Sequence, residues 1–194
     1  IYRPFRPKRR TRASIAKEKG LEPLADAIFA QVADSASPTE LAADYIDAEK
    51  GVETAEDAIN GAMDIIAENI SDDADIRRRL RSLFTVAGVL QSRAADSEKE
   101  SVYTMYYEYD EPVNKIAGHR VLAVNRGENE GFLKVGIDVD RIKALNIINA
   151  NVLSDNGSAC TDTVRDAAAD AYDRLIFPSV EREIRNMITD SAVE

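Results

Sequence analysis

The sequence predicts a mainly α protein, a multi-helix array with one small β-hairpin insertion. Three observations lead there. Serine and threonine caps, one of them followed by proline and glutamate at telling positions, open helices along the first half. Apolar residues recur at i, i+3 and i+4 over most of the chain. Near residue 120 the period shortens, and glycines bracket a turn. With 194 residues, 44% of them hydrophobic, there is enough apolar surface to bury a core. No run approaches the roughly 18 apolar residues of a membrane span, so a soluble chain is expected.

The elements follow in order. Pro4 and Pro7 lock their own φ and push Arg3 and Arg6 from helical backbone, so residues 1–10 should be extended. Thr11 is placed to cap a short helix that Gly20 ends. Pro23 fits the first turn of a second helix, with Leu24, Ile28 and Val32 on one face. Ser37-Pro-Thr-Glu40 combines a capping box with an early proline and opens a helix to about Ala48. Thr54 opens the next, striped by Ala58, Ala62, Ile66 and Ile70. Gly61 in its middle costs roughly 1 kcal/mol against alanine, which a closely packed neighbouring helix would justify.

Ser71 is read as the cap of a further helix, with Asp72, Asp73 and Asp75 in its first turn. Its buried stripe should be Ile76, Leu80, Leu83, Phe84, Ala87 and Leu90. Residues 97–109 read as another helix, presenting Tyr103, Tyr106 and Tyr107 until Pro112 breaks it. Val121 to Asn125 and Phe132 to Asp138 then read as the strands of the hairpin, around Gly127 and Gly131. Helical spacing resumes at Asp140 through Ile148 and Val152, and Asn156-Gly157 marks a turn. A long helix from Thr161 to Ser191, kinked at Pro178, should bury Leu175, Ile184 and Ile188. The expected organisation is a basic arm and short helix over 1–20, a helical region over 21–117, the hairpin over 118–139, and helices over 140–194.

Charge divides the chain. Residues 1–19 carry eight basic side chains against the single acid Glu18, while the remainder holds 17 basic and 34 acidic ones. A polyanion is therefore the natural partner of the arm and not of the body. The candidate contact residues are Arg3, Arg6, Lys8, Arg9, Arg10 and Arg12, whose charges suit phosphates, while Tyr2 and Phe5 can stack on unpaired bases. Such binding would be electrostatic, salt-sensitive and indifferent to base sequence. The same arm could instead pack on the acidic body. Its PxxP pattern also fits an aromatic-lined groove.

Other motifs are weaker. Arg77, Arg78, Arg79 and Arg81 fan around a helix and should pair with the acids a turn earlier. Gly136-Ile-Asp138 superficially matches a metal-holding strand of an RNase-H-like nuclease, but no further strand follows to supply more carboxylates. Asp138 or Asp140 is more simply the cap of the next helix. His119, at a strand start, suits a structural hydrogen bond. Cys160 lies in a loop with no adjacent base to activate it. There is no Walker, GxGxxG or GxSxG pattern, so no enzyme, cofactor or small-molecule substrate is expected. No charged-then-apolar leader opens the chain. It starts at Ile1 rather than Met and ends inside a helical pattern, as expected of a piece of something longer.

Several segments carry a family resemblance. They are Tyr2-Arg-Pro-Phe-Arg-Pro-Lys-Arg-Arg-Thr-Arg12, Ile15-Ala-Lys-Glu-Lys-Gly-Leu-Glu-Pro-Leu-Ala-Asp26, Asp64-Ile-Ile-Ala-Glu68, His119-Arg-Val-Leu-Ala123 with Arg126-Gly-Glu128, and Arg174-Leu-Ile-Phe-Pro-Ser-Val-Glu-Arg-Glu-Ile-Arg185. In this order they resemble the Tex family of bacterial transcription accessory proteins. The resemblance implies large cytoplasmic multidomain factors with a helical N-terminal region, a YqgF-type RNase-H-like domain, a helix-hairpin-helix segment and a C-terminal OB-fold RNA-binding domain. The chain looks like the helical portion before the YqgF-type domain. The implied partners are nucleic acid, with single-stranded RNA foremost, and the transcription machinery, with no membrane. The alternative implied role is a scaffold that positions the YqgF-type and OB-fold domains without binding nucleic acid itself.

Overall fold

The computed structural model describes residues 10–194. It is mainly helical and falls into two compact units. One takes the described chain through Asp72 together with Asn149–Ala171, and the other Asp73–Ile148 with Tyr172–Glu194.

The first unit is built on α4 (Ala55–Ser71), against which α1 (Arg12–Glu18), α2 (Glu22–Ala30), α3 (Pro38–Ala42) and α8 (Thr161–Asp170) pack. Its caps are those expected. Thr11 accepts from the Ser14 N–H, Ser37 from that of Glu40 and Thr54 from that of Asp57. Ala58, Ala62, Ile65, Ile66 and Ile70 of α4 are buried. A Cβ at Gly61 would overlap Leu21 Cδ1 and lie 3.3 Å from the Ala16 Cβ, so the close approach that the glycine suggested is real. Two boundaries differ from expectation. α2 ends at Ala30, leaving Val32 exposed, because Gln31 turns left-handed at φ 49°. Its buried amide donates to the Phe29 and Val152 carbonyls and accepts from the Ser154 N–H, which compensates for the strained backbone. α3 gives way after Ala42 to 3-10 turns at Ala43–Tyr45 and Ala48–Lys50, rather than running to Ala48.

The second unit holds a three-stranded antiparallel sheet of order β2-β1-β3, with β1 Val89–Ala94, β2 Glu108–Pro112 and β3 Leu133–Asp138. This corrects the expected hairpin. Residues 118–129 are a helix, α6 (Gly118–Asn129), whose Val121, Val124 and Gly127 are buried at helical spacing. β3 pairs instead with β1, placing Leu90 opposite Ile137. Gly127 belongs to a packing contact and not to a turn. A Cβ there would lie 2.8 Å from Leu133 Cγ and 3.1 Å from Tyr103 Cδ1. His119 is thus exposed in the first turn of α6 and not at a strand start.

The expected helix over 97–109 is likewise a loop, a 3-10 turn at Thr104–Tyr106 and strand β2. Tyr103 and Tyr106 are buried, as the apolar pattern required, and Ser92 donates to the Tyr106 carbonyl at 2.7 Å. α5 (Ala74–Ala87) is capped by Asp73 rather than Ser71, since Ser71 still belongs to α4. Leu90 is buried from β1 and not from that helix.

α7 (Arg141–Val152) is capped by Asp140, whose Oδ1 accepts from the Ile142 N–H at 2.9 Å. The last helical stretch is interrupted as expected, but more broadly. A π-helical segment at Ala171–Ile176 separates α8 from α9 (Phe177–Val193), and Pro178 sits in the first turn of α9 where its missing N–H costs nothing. In the second unit Phe177 packs against Phe84 and Tyr172, with ring centroids 5.7 and 5.9 Å apart. No helix among the described residues is long and apolar enough to cross a membrane.

Candidate nucleic-acid interface

Of the six candidate contact residues, Arg3, Arg6, Lys8 and Arg9 lie outside the described residues. Arg10 and Arg12 flank the start of α1. The reciprocal Thr11–Ser14 capping box, at 2.8 and 3.0 Å, fixes where the preceding chain joins this helix. Arg10 turns back along α1 to Glu18, Nη2 to Oε2 2.9 Å, with both side chains more than 60% exposed. An exposed pair of this kind is worth little and is easily exchanged for another anion. Arg12 is exposed and makes no ion pair among the described residues. It lines a cleft of about 450 Å³ between α1 and the start of α4, where Lys19 and Arg12 meet three carboxylates, Glu53, Asp57 and Asp64.

The arginines of α5 are placed differently. Arg78 and Arg79 both hold Asp75, Arg79 Nε at 2.9 Å. The bond from Arg78 and then that from Arg79 keep the Asp75 carboxyl below its ordinary range. Arg77 donates to Ser179 Oγ at 3.0 Å, and Arg81 reaches Glu183 at 3.3 Å. Arg78 and Arg79 thus pair with an acid a turn earlier, as expected, whereas Arg77 and Arg81 reach across to α9 instead. Arg93 is likewise held by Asp110 and Arg141 by Asp173, through two hydrogen bonds each. Each pairing raises the guanidinium pKa further.

The family-like segments near the second half serve the fold of the second unit. Arg185, 18% exposed, makes bonds to both Glu128 carboxylate oxygens at 2.8 and 3.3 Å. It also donates to Asn125 Oδ1 at 2.8 Å and the Val135 carbonyl at 3.3 Å. Glu181 accepts from the Ile137 N–H at 2.9 Å. Two side chains of α9 thereby occupy backbone groups on the outer edge of β3, which protects an edge strand. Gly136-Ile-Asp138 is this edge, and Asp138 is exposed at its end. Among the described residues no group of three or more His, Cys, Asp or Glu side chains is arranged to hold a metal. Cys160 is buried beside Ser35, its sulfur 3.5 Å from the hydroxyl.

Sequence reasoning singled out the arm but not the meeting of the two turns that carry Lys19 and Lys50. Lys19 lies over Gly51, while the Lys50 ammonium lies over Gly20. The only signal for it was the repeated Lys-Gly dipeptide at 19–20 and 50–51.

Residues 33–194 match the family model described as Tex central region-like. Over the whole chain the sequence is 43% identical to the uncharacterized protein YdcI of Bacillus subtilis, of which it covers 27%. It is 39% identical to Protein tex of Bordetella pertussis, over 72% of this chain and 18% of that protein. It is 26% identical to human S1 RNA-binding domain-containing protein 1, over 94% of this chain and 19% of that one. The chain thus spans about a quarter or less of the length of these relatives.

Proposed function

The chain belongs to the Tex central region-like family, and from that premise we propose that it is part of a transcription accessory factor associated with nucleic acid. Within it, residues 3–12 contact the phosphates of single-stranded RNA, and the helical body holds that segment in place. One observation carries the reading. Segment 3–12 gathers six cations and no acid, whereas the arginines of α5 spend their charge on acids and a hydroxyl of their own unit. A local excess of positive charge is what phosphates select. Similarity to a protein named for an S1 RNA-binding domain supports RNA as the partner. The role is non-enzymatic and cytoplasmic, with the transcription machinery as a further partner.

A second reading, a scaffold that positions YqgF-type and OB-fold domains without touching RNA, draws support from the Arg10–Glu18 pair. Fluorescence anisotropy with a single-stranded RNA across a salt series separates the two. The whole chain and one lacking residues 1–12 are compared. Contact with about four phosphates gives log K a slope near −3 against log salt, from roughly −0.7 per phosphate for single strands. Binding with this slope that vanishes with the arm supports the first reading. No binding by either chain at low salt leaves the scaffold.

A further inference from the structure

We propose that the cleft between α1 and the start of α4 holds the basic arm, residues 3–9, when no RNA is bound. RNA must then draw the arm out, so the cleft is an internal competitor for the cations that contact phosphate. The inference rests on the reading of residues 3–12 as an RNA contact and adds the regulation of that contact.

The first ground is charge. The described part of the first unit, to which the arm is joined, holds 18 acidic side chains against six basic ones. Residues 3–9 carry Arg3, Arg6, Lys8 and Arg9 and no acid. In the cleft Glu53, Asp57 and Asp64 outnumber Arg12 and Lys19. Glu53 and Asp57 make no ion pair with any described residue, so the cleft's own cations leave that charge uncompensated. Asp57 is held in place, since its Oδ2 accepts from the Glu53 N–H at 3.2 Å. Ala16 and Leu21, both buried, give the cleft an apolar floor on which arginine stems can lie.

The second ground is spacing. Pro4 and Pro7 favour an extended arm of three residues per turn, which sets Arg3, Arg6 and Arg9 along one edge, about 9 Å apart. Asp57 and Asp64 lie two turns apart on one face of α4, about 10 Å along its axis. Neighbouring arginines of that edge can therefore meet both carboxylates at once. The tether permits it, because Arg12 at the start of α1 lines the cleft and the Thr11–Ser14 capping box fixes the chain there. The Arg10–Glu18 pair shows the same preference on a smaller scale, a cation turned back on an acid of its own unit. Ion pairs this close to solvent are weak, so a polyanion can take the arm from them.

The test couples amines to carboxylates in the whole chain with a carbodiimide, which joins groups already in contact, and maps the joined peptides by mass spectrometry. Arg6→Lys puts an amine on the docking edge, beside the native Lys8. These amines should couple to Glu53, Asp57 or Asp64, and saturating single-stranded RNA should abolish the coupling. Coupling to acids elsewhere, or to none, overturns the docking. Coupling in the cleft that persists while anisotropy shows RNA bound overturns the competition. Coupling in the cleft with no RNA binding at low salt upholds the docking and overturns the RNA reading of residues 3–12. Affinity gives a second measure. An arm docked about nine-tenths of the time binds RNA about tenfold more weakly than a free one. Glu53→Gln, Asp57→Asn and Asp64→Asn together should therefore tighten RNA binding about tenfold. Glu22→Gln, Asp26→Asn and Glu40→Gln, exposed on α2 and α3, remove the same charge and should tighten it less than about twofold. Equal gains in the two variants overturn the cleft as the holder of the arm.

Discussion

Arg185→Met removes a guanidinium that ties α9 to α6 and β3 but keeps most of the aliphatic stem. Four hydrogen bonds are lost: two to Glu128, one to Asn125 and one to the Val135 carbonyl. The ion pair is half-sheltered, with Arg185 18% and Glu128 36% exposed, so its hydrogen bonds sit at the low end for charged partners, about 1.5 kcal/mol together. The bond to Asn125 adds about 1 kcal/mol, and the longer one to Val135 about half of that. The expected loss is about 3 kcal/mol. Glu128→Gln keeps the acceptor geometry and loses only the charge, costing about 1 kcal/mol. In the Arg185→Met background it should cost almost nothing, giving a coupling of about 1 kcal/mol. Urea unfolding followed by the tyrosine signal of the second unit measures all three variants. A loss below about 0.5 kcal/mol in Arg185→Met, with the two substitutions additive, would refute the role given to this residue.

Three further predictions follow from packing and burial. Gly127→Ala gains about 1 kcal/mol of helix propensity but presses on Leu133 and Tyr103, both buried. Overpacking by about 1–3 kcal/mol wins, so the thermal midpoint falls, and it falls less for Gly61→Ala, where a Leu21 methyl is the main obstacle. Burial, with Asp173 adding, pushes the Tyr172 phenol up to about 12 from an ordinary 10.0, and its hydroxyl has no hydrogen-bond partner among the described residues. The unfolded chain therefore releases this proton first. Stability from Tyr172 is complete below pH 10 and falls as pH rises toward 12, a decline that Tyr172→Phe removes in urea titrations at pH 9 and 11 without loss at pH 7. Cys160 is fully buried, so a thiol reagent should modify it only at the rate the first unit opens, and at once in 6 M guanidinium.

Local signals made the first unit legible. Thr11, Ser37 and Thr54 each satisfy helix N–H groups through a side chain, and such caps act over three residues regardless of the rest of the fold. Gly61 could be read as a contact because a helix-weakening residue inside a strong stripe needs a reason. The sheet was illegible for the opposite cause. β1 and β3 pair residues 39 to 49 positions apart, and no local pattern states which strand meets which. Val89–Ala94 continues the apolar spacing of α5 through Leu90, which hid the strand. In α6 the alternation of Val121, Ala123 and Asn125 imitated a strand, while the buried spacing was Val121, Val124 and Gly127. The Tyr103 and Tyr106 positions were apolar by pattern, but a 3-10 turn buries that spacing as well as an α-helix does. The arm was visible through charge alone, since six cations without an acid need no fold to be noticed. The seating of Lys19 over Gly51 and of Lys50 over Gly20 depends on two turns that are far apart in sequence, and only the structure brings them together.

The most direct test of the proposed function is ultraviolet cross-linking of the whole chain to a single-stranded RNA, with the linked peptides identified by mass spectrometry. The aromatic residues of the arm are next to its cations in sequence, so cross-links should fall on Tyr2 and Phe5 and weaken with rising salt in step with binding. Cross-links confined to the second unit, around Tyr103 to Tyr109 or α5, would contradict the placement of the RNA contact in residues 3–12.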